Sequence, residues 1–126
     1  MSDSSSVVVK PYKHYRAIVM KWHKNGEKAD IKQAFDDIMS HLDTAREPIY
    51  VVVDLRENKF IPMTDTYRGA MAGPHRHEKL AAWLCIGENR FARYIADVLN
   101  VFTEESKIQW FGDESQVDTF LEQHQA

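Results

Sequence analysis

The sequence predicts a single α/β domain: a mixed, mostly parallel sheet of four to five strands with helical cover. Two observations carry that prediction. Short β-branched runs alternate with longer stretches whose apolar residues recur at three- and four-residue spacing, and strands alternating with helices imply a largely parallel sheet. The chain is 126 residues long, which suits one domain and one core without disulfides or metals.

The elements follow in order. Residues 1–11 read as a disordered or edge-strand lead-in to a domain over 12–126: Met1 to Ser6 is polar, and Val7-Val8-Val9 can form an edge strand before Pro11. Tyr15 to His23 is the first clear strand, with Ile18, Met20 and Trp22 on one face and Ala17 and Val19 on the other. Asn25-Gly26 is a turn signal. Ala29 to Leu42 is the best helix, because Ile31, Ala34, Phe35, Ile38 and Leu42 make one apolar stripe. The run Ile49 to Leu55 reads as a central strand buried on both faces. A short helix is expected from Thr64 to Met71, stopped by Gly73-Pro74. Further expectations are a strand over Ala82 to Ile86, a helix over Arg90 to Phe102, a strand over Lys107 to Phe111 and a helix over Glu114 to Gln123.

Composition narrows the function. Hydrophobic residues make up 44% and charged residues 28%, with a formal net charge of −3. That balance argues against nucleic acid, whose phosphates call for a basic face. Lys10, Lys13, Arg16, Lys21, Lys24 and Lys28 cluster, and read as the solvated ends and edges of a strand. The lone Cys85 forbids an internal disulfide and sits in an apolar run, where cysteine packs as a small hydrophobe. This usage suits a reducing cytoplasm, so a cytoplasmic location is expected. No secretory signal is recognisable, and no apolar stretch approaches the roughly 18 residues of a transmembrane segment.

Residues able to carry chemistry are few. His75-Arg76-His77-Glu78 offers two imidazoles and a carboxylate, but no third protein ligand beyond Glu78 can be assigned, so an exposed loop is expected and no metal. Asp54 lies at a strand end, where α/β proteins place functional loops, and a structural role binding backbone N–H groups competes with a functional one. The five glycines are scattered, which leaves no Gly-rich phosphate loop, and Gly-x-Ser-x-Gly is absent. The expectation is a non-enzymatic protein with no cofactor.

Three phrases carry a resemblance. They are Tyr50-Val51-Val52-Val53-Asp54-Leu55; the strand, glycine turn and helix start from Trp83 through Gly87 to Arg93; and Lys107-Ile108-Gln109-Trp110-Phe111 leading into Glu114-Ser115. With the element order, they make the stretch from Tyr12 to Glu122 resemble the SpoIIAA-like proteins of the STAS domain group. In the phosphorylatable members, Asp-Ser-Ser-Gly follows the Asp-Leu strand, and a kinase modifies the second serine to control binding. This chain has Pro62-Met63-Thr64-Asp65 in the similar position. The resemblance thus implies Thr64 as the candidate phosphoacceptor, and Asp54, Pro62, Met63 and Asp65 as candidate partner contacts. Thr64 capping its own helix is the competing reading.

Some SpoIIAA-like proteins also resemble CRAL-TRIO lipid-binding domains. That implies an apolar pocket, for which Phe91, Tyr94, Ile95, Val98 and Phe102 form a wide stripe. Plain core, a homodimer contact and a ligand pocket would each cover it. The leading expectation is a regulatory or binding module acting through a protein partner. The alternative is a carrier or sensor of a small apolar, lipid-like ligand.

Overall fold

The computed structural model describes residues 6–25, 27–60, 73–87 and 108–124. The candidate phosphoacceptor Thr64 with Pro62, Met63 and Asp65, and the apolar stripe of Phe91, Tyr94, Ile95, Val98 and Phe102, lie outside the described residues.

Five strands form one sheet in the order of the chain: β1 (Val7–Pro11), β2 (Ala17–Asn25), β3 (Ile49–Phe60), β4 (Leu80–Ile86) and β5 (Ile108–Phe111). β1 pairs antiparallel with β2, and every other pairing is parallel. Two described α-helices cover it, α1 (Lys28–Thr44) on one face and α2 (Glu114–His124) on the other. The α/β class and the mostly parallel sheet agree with the sequence.

The two faces follow from the period-two alternation of strand residues. Ile18, Met20 and Trp22 of β2 meet Val51 and Leu55 of β3 and the α1 stripe of Ile31, Ala34, Phe35, Ile38 and Leu42. Ala17 and Val19 turn the other way, toward Val52, Leu84, Ile86 and the α2 residues Val117 and Leu121. Val51, Val52, Leu84, Ile38, Leu42, Val117 and Leu121 have no exposure above 0%, so both layers are closed around the centre of the sheet.

Val7 to Pro11 takes the edge-strand option. Its register with β2 runs from Val7↔Trp22 to Pro11↔Ile18. The turn between them brings Tyr15 out of the expected strand: the Tyr12 N–H donates to the Ala17 carbonyl over 2.9 Å, and Lys13 adopts φ 50°. Ser6 ties the other end of β1 to α1. Its Oγ accepts the Glu27 N–H over 2.9 Å and donates to Asp30 Oδ2 over 2.8 Å, while its own N–H donates to the same oxygen. Glu27 is the N-cap of α1 and makes no side-chain cap bond itself; Ser6 accepts its N–H, the part that the N3 side chain plays in a capping box.

β3 is longer than its apolar run. It continues through Arg56-Glu57-Asn58-Lys59-Phe60 and pairs with the last residues of β2, His23↔Glu57 and Asn25↔Phe60. Pairing with β4 ends earlier, at Asp54↔Ile86. Asp54 is therefore inside its strand, at the place where the sheet narrows from β4 to the β2–β3 ribbon. Gly87 follows β4 at φ 140°, and a Cβ there would lie 3.2 Å from the Leu55 backbone, so only glycine fits this bend without strain.

Candidate functional site

The described residues form a cleft of about 370 Å³ on the α2 face, where the sheet narrows. Its floor is apolar: Val19, Val52 and Ile86 from three adjacent parallel strands. Its walls are ionic. Lys10 and Pro11 come from β1, Tyr12 and Lys13 from the turn, Lys21 from β2, Asp54 and Arg56 from β3, and Glu114 from the start of α2. Period two explains the clustering, since Val19 and Lys21, and Val52, Asp54 and Arg56, share a strand face.

Asp54 is the buried charge of the site, at 5% exposure. Arg56 grips it with a fork: Nε donates to Oδ1 over 3.0 Å and Nη2 to Oδ2 over 2.8 Å, and the Arg56 backbone N–H adds a third bond to Oδ1. Burial pushes the Asp54 carboxyl up, but these bonds and the charges of Arg56 and Lys21 outweigh it and hold the group below its ordinary value. Asp54 is ionised and fully engaged at neutral pH, which suits a fixed anchor and not a general acid.

The chain of alternating charge continues. Arg56 Nη2 also donates to Glu114 Oε1 over 3.2 Å. Lys13 lies 2.8 Å from Glu114 Oε2 and bonds Asp118 as well. Tyr12 completes the run by donating its hydroxyl to Asp118 Oδ1 over 2.7 Å. The hydrogen bonds and charges of Lys13 lead those that lower Glu114. Burial, then the bond to Asp118, pushes the Tyr12 phenol up. The sheet, α2 and the β1–β2 turn are thus joined through one ionic strip.

The other expected residues fall elsewhere. Cys85 is buried in β4, and burial alone pushes its thiol up to about 12, far from the range of a reactive thiolate. The exposed loop expected at His75-Arg76-His77-Glu78 holds in part: Arg76 and Glu78 are exposed, and His75 is buried. Pro74–Arg76 is a 3-10 turn, and His75 is 3% exposed because its Nδ1 accepts the Trp83 indole N–H over 3.0 Å. His77 turns to Asp43, at 2.9 Å. Among the described residues no cluster of three or more potential ligands could hold a metal.

Arg56, Glu114 and Tyr12 are site residues the sequence reading missed. The Asp54-x-Arg56 spacing was the available signal, since positions two apart in a strand share a face. Lys10, Lys13 and Lys21 were noticed only as a solvated basic segment.

No protein-family model matches the chain, and no curated protein matches it by sequence. In fold, a solved structure is similar to it: an uncharacterised protein of the DUF3478 family from Shewanella loihica PV-4, with a SpoIIAA-like fold, superposes with a TM-score of 0.64 over 91% of each chain at 17% identity. No described helix is long and apolar enough to cross a membrane. The strand order, the helices on opposite faces and this superposition together give the chain a SpoIIAA-like fold.

Proposed function

We propose that the protein is a non-enzymatic binding or regulatory module of the cytoplasm that acts through a protein partner. The partner would dock where the sheet narrows at the C-terminal ends of its parallel strands. One observation carries this reading: an ionic strip starts at that edge with Asp54, Arg56 and Glu114 and runs through Lys13 to Asp118, linking the sheet, α2 and the β1–β2 turn. Fixed, mutually satisfied charges at a rim set the orientation and on-rate of a docking protein. Asp54 and Cys85, the two residues with most claim to chemistry, are respectively locked ionised and locked as a thiol. Open α/β sheets place their ligands at this edge. The SpoIIAA-like fold motivates a regulatory role, and Thr64 as phosphoacceptor remains part of the proposal.

A photo-crosslinking residue in place of Glu57, exposed on β3 beyond the cleft, tests it in cells. The same residue in place of Gln33, exposed on α1, is the control. A discrete protein adduct from position 57 and none from position 33 is expected. Identical adduct patterns, or none from position 57, would refute docking at this edge.

A further inference from the structure

The cleft has a chemical bias that the docking reading does not use. Its space of about 370 Å³ falls in the range of small-molecule sites; Val52 and Ile86, exposed 0% and 1%, close its base, and Val19 at 7% is the apolar side chain of the three that still meets the space. Both carboxylates in its lining are already engaged. Asp54 uses both oxygens on Arg56, and Glu114 uses one on Arg56 and the other on Lys13. A cationic ligand would therefore compete with bonds already made.

Donors, by contrast, are left over. Lys13, Lys21 and Arg56 each face a carboxylate, Lys21 through Glu57 at 3.1 Å. Lys10 lines the cleft, and its ammonium has no ion-pair or hydrogen-bond partner among the described residues. Its register partner is Val19, so its ammonium stands on the face that forms the apolar floor. Arg56 binds its partners through Nε and Nη2, which leaves the Nη1 protons as further donors.

We propose that this cleft binds a small monocarboxylic acid, its apolar body against Val19 over the base that Val52 and Ile86 close and its carboxylate on Lys10, with Arg56 Nη1 as second donor. One cation left unpaired among the described residues matches one negative charge. A dianion such as a phosphate monoester would set its second charge against Asp54 and Glu114. The site is independent of any protein partner: acid binding can fail while crosslinking from position 57 succeeds, and the reverse.

The test is an amide-resolved NMR titration of the full chain with three six-carbon probes: hexanoate, 1-hexanol and hexyl phosphate. Hexanoate is expected to shift the amides of Val19, Val52 and Ile86 saturably with a Kd of about 1 mM. Hexanol should bind about tenfold more weakly, and Lys10→Ala should weaken hexanoate about tenfold while leaving hexanol unchanged. Lys10 is exposed, so its variant is expected to fold, which the same spectra check; Lys10→Arg should retain binding. The proposal is overturned by no saturable shift with hexanoate, by shifts outside the cleft, by equal binding of hexanol, by indifference to Lys10→Ala, or by tighter binding of hexyl phosphate.

Discussion

Asp54 and Arg56 stand two positions apart on one strand, and their contact is short, forked and unequally exposed. The carboxylate side chain is 7% exposed and the guanidinium side chain 45%. The two ends of this pair therefore differ in what their loss costs. Removing the arginine leaves a buried charge without its main partner, which is the expensive way to break an ion pair. Arg56→Ala should destabilise the fold by about 2 kcal/mol, below the value for a fully buried pair because the guanidinium is half in water. The Asp54 carboxyl should then rise, since burial would be opposed only by the backbone N–H of residue 56 and by Lys21. Carboxyl-carbon NMR titration of wild type and variant checks this, and an Asp54 that titrates unchanged in the variant contradicts the account. Trp83 and His75 show the same logic without charge. The buried Trp83 indole N–H has its acceptor in a histidine whose flanking Gly73-Pro74 suggests a loop and which lies inside instead.

At the scale of elements, legibility tracked how local the cause was. The α1 stripe was readable because five inward residues obey one period and need no other information. The central strand was readable for its β-branched run. Its continuation was not, because Arg56-Glu57-Asn58-Lys59 has the polar character of a loop and is held extended by pairing with the end of β2. That is tertiary pairing overriding weak local propensity. Asp54 could be singled out from its neighbourhood in sequence. Its surroundings could not, because Lys13 meets Asp118 across 105 positions and no periodicity records such a meeting. Ser6 belongs with these, a polar lead-in residue that turned out to cap α1 from another element. Ser6→Ala removes the acceptor for Glu27 N–H and one of two bonds to Asp30, and should cost about 1 kcal/mol. Urea unfolding with an unchanged m-value and a lower midpoint is the expected reading; an unchanged midpoint would assign the cap to water.

For the whole molecule, the ionic strip sets the response to acid. Asp54, Glu114 and Asp118 all have folded-state values held below their ordinary ones. Between those two values the unfolded chain binds more protons than the folded one, so stability falls as pH falls. Their contribution is complete above about pH 5 and is lost progressively as pH drops through about 4 and below. Unfolding midpoints measured from pH 7 to pH 3 should be level at first and then decline, with a smaller decline when Arg56 is replaced. A midpoint that rises toward pH 3 would mean these carboxylates are not favourably paired in solution.

The β1–β2 turn also has a consequence in time. Tyr12 meets Asp118 and Tyr15 meets Glu122, contacts that span 106 and 107 positions. During synthesis the hairpin emerges early, yet the helix it rests on is made after nearly all the rest of the described chain. Until then Tyr12 and the floor residues Val19 and Val52 lack the α2 side of their cover, so an apolar sheet face stands open on the nascent chain. Contacts of such long separation slow folding, and exposed half-built sheets are where aggregation begins. The last described helix to be made is thus the one that closes the β1–β2 hairpin.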